Sequence, residues 1–140
     1  MKIFFLILAT SLNLFAYVGV DSLIGRWSYV GFHYQGNYFQ KPNPDLHVTF
    51  EFEQNNKVKL SWVRDDDGSH CTRIADYSII DSVIHQTVVW VDPENSFGCS
   101  SDPDMVLGKT SKTTYSVSEN VLNLYLSLNG EELVYVLNRL

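Results

Sequence analysis

The 140 residues carry 10 Lys and Arg against 16 Asp and Glu, a formal net charge of −6, with 14% aromatic residues and two cysteines. An acidic chain without a Lys or Arg cluster lacks the counterion release that drives nucleic-acid binding and the attraction that holds proteins on anionic lipid, so both partner classes are excluded.

The chain opens with Lys2, an apolar run IFFLILA, and a polar and small stretch ending at Ala16. That order of charged, apolar and small-residue regions reads as a secretory signal peptide over residues 1–16. The apolar run is too short for a hydrocarbon core of ~30 Å, so no stable membrane span is expected. The mature chain is then residues 17–140, a single domain in the periplasm or outside the cell. Lys2 is the only charge in the removed segment, leaving 9 basic and 16 acidic residues and a net charge of −7. In an oxidising compartment Cys71 and Cys99 are expected to form a disulfide. Closing that loop would stabilise the fold by ~3 to 4 kcal/mol in the chain-entropy model.

The first strand is signalled by SLIGRWSYVGFHY, residues 22–34, with a Gly-x-Trp at its start. The segment GFHYQGNYFQKPNP then reads as a long loop at an open end, presenting Tyr34, Tyr38 and Phe39. In LHVTFEFE, Leu46, Val48, Phe50 and Phe52 share one face, the period-2 pattern of a strand with one buried side. Asn55 and Asn56 turn the chain into KVKLSWVR, with Val58, Leu60 and Trp62 on one side. RIADYSII and SVIHQTVVWV follow, joined near Asp81; the second is rich in β-branched residues and is expected to be covered on both faces. TTYSVS, VLNLYLSL and ELVYVLNRL complete the series, with turns at Glu119–Asn120 and Asn129–Gly130. About eight antiparallel strands on short turns imply an all-β, up-and-down barrel, which leaves no exposed edge; a two-sheet β-sandwich is the alternative.

Two acidic stretches, DDDGSH at 65–70 and DPENSFGCSSDPD at 92–104, read as solvated loops. The alternative gives Asp92, Glu94, Asp102 and Asp104 to calcium, but no EF-hand spacing supports it and no metal is expected. His33, His47, His70 and His85 lie on four separate segments without HxH or HExxH spacing. Neither a Gly-x-Ser-x-Gly elbow nor a glycine-rich phosphate loop occurs, so no catalytic residue and no cofactor can be named.

A Gly-x-Trp at the first strand, about eight strands and an Arg near the end of the last one resemble the lipocalin and fatty-acid-binding superfamily of β-barrels, in the form of a compact bacterial lipocalin-like domain. The resemblance rests on Gly25, Trp27 and Arg139. It implies that Trp27 closes the barrel floor while Arg139 packs over it, a structural role for all three. Independently of the family, an indole plugs a barrel end well and a guanidinium over its face gains ~0.5 to 2 kcal/mol.

The abundance of aromatic residues has two readings. A packed barrel uses rings to fill its interior; a hollow one uses them to line a cavity. On strand parity the lining candidates are Tyr29, His33, Phe50, Phe52, Tyr77, Leu122 and Leu124, with Tyr34 and Tyr38 above them. The expected function is a non-enzymatic exported protein taking a small apolar molecule into the barrel. The alternative is a protein-binding module, such as an inhibitor of a secreted enzyme, with a packed barrel and an aromatic surface loop. A hydrolase or isomerase using Tyr and His ranks below both.

Overall fold

The computed structural model describes residues 22–140, so the signal peptide expected at 1–16 lies outside the described residues. Nine antiparallel strands follow one another: β1 (Gly25–Tyr34), β2 (Asn37–Gln40), β3 (Leu46–Phe52), β4 (Lys57–Arg64), β5 (His70–Ile80), β6 (Val83–Val91), β7 (Thr110–Ser118), β8 (Val121–Leu128) and β9 (Glu131–Arg139). Each of β3 to β9 pairs with its neighbour in sequence, and β9 returns to β1 along most of that strand, from Trp27–Arg139 to Tyr34–Leu133. This closes an eight-stranded barrel, with β2 as an additional strand, and rules out the sandwich.

The lower end is packed solid. Trp27, Phe52, Val58, Ile84, Leu122 and Leu137 are all at most 2% exposed and form one cluster with Leu23. The Trp27 indole donates from Nε1 to the Leu23 carbonyl at 2.8 Å. The Arg139 guanidinium lies 4.0 Å from the centre of the Trp27 ring and donates to the carbonyls of Ile24 and Ser22 at 2.8 and 2.6 Å. Gly25 has φ +131°, and a Cβ there would fall 2.6 Å from Arg139 Nη1. Only glycine suits both the backbone and the approaching guanidinium. These contacts tie the first strand to the last.

The upper end is built differently. β1 pairs with β3 only over Gly25–Ser28; above that, its edge is taken by β2. Residues 35 and 36 turn β1 into β2 with φ of 49° and 76°, the two left-handed positions of a type I′ hairpin. The expected long loop is thus largely a hairpin. β3 leans away, its Leu46–Val48 pairing with β4 alone, and Lys41 Nζ spans the gap to the Leu46 carbonyl at 2.9 Å. On the other side β6 pairs with β7 only over Val83–Thr87. Residues 92–109 then form a strap over the upper end, with two short 3-10 helices at Phe97–Ser101 and Pro103–Met105.

Cys71 and Cys99 form the expected disulfide, with Cα atoms 5.7 Å apart, and anchor the strap to β5. Met105 follows it inward, buried with Leu60 against Val48, Phe50 and Trp62. The expectation that SVIHQTVVWV, now β6, is covered on both faces is not met: Val89 and Trp90 are 41% and 42% exposed, because the strap crosses the barrel end instead of lying along that wall. Among the described residues no helix is long and apolar enough to cross a membrane.

Candidate ligand cavity

A cavity of about 470 Å³ occupies the upper half of the barrel, within the size range of small-molecule sites. Its lower wall is Tyr29, Phe50, Leu60 and Tyr135; its rim is Phe32, Pro42, Leu46, Leu128 and Leu133; Val48, Trp62 and Arg64 lie between, and the strap adds Asp102 and Asp104. Eleven of these fourteen residues are apolar or aromatic, so the chamber suits an apolar guest. A larger depression of about 640 Å³ lies over β5 to β7, lined by polar groups including Asp76, Ser78, His85 and Lys112. No side-chain hydrogen bond links those four among the described residues, and Asp76 is instead held by Lys57.

Of the residues expected to line a cavity, Tyr29 and Phe50 do so. His33 does not, because β1 carries a bulge between Tyr29 and Gly31. One extra residue reverses the alternation, so Phe32 lines the chamber and His33 is exposed against the Tyr38 ring, 5.2 Å away. Gly31 sits beside the bulge, where a Cβ would meet the Phe39 carbonyl at 2.4 Å and the Tyr38 hydroxyl at 2.5 Å. That close crossing lets β2 fold onto β1. Tyr38 is 48% exposed on the outside, and Tyr34 is hydrogen-bonded to Glu131 at the hairpin tip.

Phe52, Tyr77, Leu122 and Leu124 point inward, as parity requires, but belong to the packed floor below the cavity. Phe52 and Tyr77 meet edge to face at 5.3 Å, and the Tyr77 hydroxyl donates to the Glu53 carbonyl at 3.2 Å. Gly25, Trp27 and Arg139 stand at the far end from the cavity.

Sequence reading missed the strap's contribution. Asp102 and Asp104 sit in what reads as a solvated loop, yet the Trp62 indole donates to Asp102 Oδ2 at 3.1 Å while Oδ1 caps the Asp104 amide at 2.9 Å. Asp92 makes its own turn, accepting from the Glu94 amide at 2.9 Å. Among the described residues no group of three or more acidic, His or Cys side chains is placed to hold a metal ion. A tilted ring pair, Tyr29 and Tyr135, stands 5.0 Å apart in the cavity wall. Burial, helped by Tyr135 and Tyr38, pushes the Tyr29 phenol up to about 12, and burial with Asp104 nearby raises Tyr135. Both present neutral hydroxyls at physiological pH.

A closed eight-stranded antiparallel barrel with a plugged floor and a cavity at the other end is a lipocalin-like fold. No family model matches the chain, and no curated protein sequence matches it. Among solved structures, a lipocalin-like protein from Bacteroides uniformis superposes with a TM-score of 0.57 at 17% identity, covering 85% of this chain and 99% of its own. An uncharacterized protein from Bacteroides eggerthii gives a TM-score of 0.53 at 16% identity, over 84% of this chain and 98% of its own. At such identities the likeness establishes the fold.

Proposed function

We propose that the protein is an exported, non-enzymatic carrier that takes a small apolar ligand into the upper half of the barrel. The observation that carries this reading is the largely apolar cavity of about 470 Å³. Export is supported by the Cys71–Cys99 disulfide, which belongs to an oxidising compartment, and by the leader pattern of residues 1–16.

Titration of the mature chain with the neutral dye Nile red, followed by tryptophan fluorescence through Trp62, tests the reading. Saturable one-to-one binding that weakens in Phe50→Ala and Tyr135→Ala is expected. No saturable binding would reject the carrier and turn attention to the second reading, a protein-binding module. That alternative draws on exposed apolar side chains: Phe97 on the strap is 99% exposed, and Tyr38 and Phe39 are 48% and 44% exposed on β2.

A further inference from the structure

The cavity's lower wall carries two hydroxyls that the protein itself leaves open. Tyr29 stands two residues beyond the buried Trp27 on β1, and Tyr135 two before the buried Leu137 on β9. Strand alternation therefore points both side chains into the barrel, where they line the chamber with ring centres 5.0 Å apart. No hydrogen bond within the protein engages either hydroxyl among the described residues. Neither oxygen is sealed away, because among the described residues the one fully buried side-chain nitrogen or oxygen without a partner is Arg73 Nη1. On inward-facing side chains that line the chamber, those two oxygens are open to what the chamber holds.

A third polar group completes this part of the wall. Asp104 reaches in from the strap, and its charge acts on the Tyr135 phenol. The Asp104 amide is capped by Asp102, and its carbonyl accepts from Arg73 Nε at 3.3 Å, but nothing among the described residues donates to its carboxylate. A phenol brings one proton and two lone pairs, an ionised carboxylate lone pairs alone, so acceptor positions outnumber protons across the three groups. A ligand end that carries its own O–H finds more partners here than one that can only accept. The charges nearby are balanced. Asp102 and Asp104 in the wall face Arg64 over the Trp62 ring, and Arg73 stands behind Asp104. An ionised ligand end would leave water with no counter-charge reserved for it, and a carboxylate would also meet Asp104.

We propose that the cavity's ligand is an apolar alcohol whose hydroxyl binds at Tyr29 and Tyr135, accepting a proton from one phenol and donating its own to the acceptors left over. The inference rests on the carrier reading above and gives it a ligand class.

The test displaces Nile red from the mature protein at neutral pH with three compounds of matched length: decanol, methyl nonyl ether and decanoic acid. Decanol should bind about five-fold or more tightly than the ether, which only accepts, as expected for one additional hydrogen bond, and about ten-fold more tightly than the acid. In the double variant Tyr29→Phe with Tyr135→Phe, which keeps both rings, the advantage of decanol over the ether should shrink to about two-fold or less. Decanol no tighter than the ether, the acid as tight as decanol, or an advantage that persists in the double variant would overturn the proposal while leaving the carrier intact. Failure of Nile red and all three compounds to bind would remove both. If the double variant does not show a strand-dominated circular dichroism spectrum, the ranking on the wild-type protein decides the matter alone.

Discussion

Phe50 and Phe52 stand two residues apart on β3, point into the same barrel and stack at an interplanar angle of 11° with ring centres 6.4 Å apart. Phe52 is 2% exposed and sealed in the floor, whereas Phe50 lines the cavity. The difference lies in the strands around them. At the level of Phe52 every strand has both neighbours, β1 meeting β3 at Gly25–Phe52 and β9 at Trp27–Arg139, so facing side chains converge and exclude space. Above Phe50, β3 parts from β1 and β6 from β7, and the wall is completed by a hairpin and a strap. The barrel is hollow where strand pairing stops.

The largest expected effect comes from opening the floor. Trp27→Ala removes a fully buried indole and should cost ~3 to 5 kcal/mol in urea or thermal unfolding, while Arg139→Ala, whose side chain packs on that ring, should cost less. Nile red affinity at temperatures where the variants remain folded should stay near the wild-type value. Wild-type stability in Trp27→Ala would mean that the floor does not hold the barrel.

Next in size is the tether of the strap. Replacing Cys71 and Cys99 together by Ser releases a bond across 28 positions and should lower stability by ~3 to 4 kcal/mol in the chain-entropy model. This change should also reach the cavity, because Trp62 is hydrogen-bonded to Asp102 on the strap. A red-shifted tryptophan emission would report it, and unchanged emission with unchanged Nile red affinity would show that the strap keeps its seat without the bond.

The same boundary explains how much was legible in the sequence. Leu46, Val48, Phe50 and Phe52 alternate without interruption, and Asn55–Asn56 and Asn129–Gly130 carry the left-handed turn positions their composition favours, with φ of 60° at Asn56 and 54° and 81° at the second pair. Eight of the nine strands follow from such local signals, whereas the Trp27–Arg139 contact follows from the family resemblance and β2 lies in a segment that reads as a loop. The bulge at the top of β1 has one faint local signal, Gly31 within SYVGFHY, and strict alternation passes over it, which points His33 inward in place of Phe32. Asp102 and Asp104 were hidden for another reason. Their place in the cavity wall depends on a disulfide and a buried Met105 that draw a polar loop over the barrel.

Substitution of the two stacked phenylalanines by leucine sharpens the comparison. Phe52→Leu should cost ~1 to 3 kcal/mol of stability as a shape change in a tight core, and leave Nile red affinity within about two-fold. Phe50→Leu should cost less stability and weaken the dye by about ten-fold, the value of a ring contact in a desolvated site. Equal behaviour of the two variants in both measurements would erase the distinction between floor and cavity.

Tyr29 gives the smallest effect and the most local one, because it touches both halves: it packs on the core cluster and lines the cavity. An unfolded tyrosine loses its proton near 10.0, whereas burial, then Tyr135 and Tyr38, hold the folded Tyr29 phenol up to about 12. Between those values the unfolded chain has released a proton that the folded chain retains, so stability falls as pH rises through that window. Tyr77 and Tyr135 are shifted in the same direction by their own burial and add to the slope. Melting temperatures measured from neutral pH to about 12 should therefore decline, and Tyr29→Phe should decline less steeply over the alkaline part. An apolar ligand in the cavity would dry the ring further, so the alkaline absorbance change of the phenolate should move to higher pH in the saturated wild-type protein and lose that component in Tyr29→Phe. Identical alkaline declines in melting temperature for wild type and Tyr29→Phe, with and without ligand, would place Tyr29 in ordinary solvent and separate it from the cavity wall.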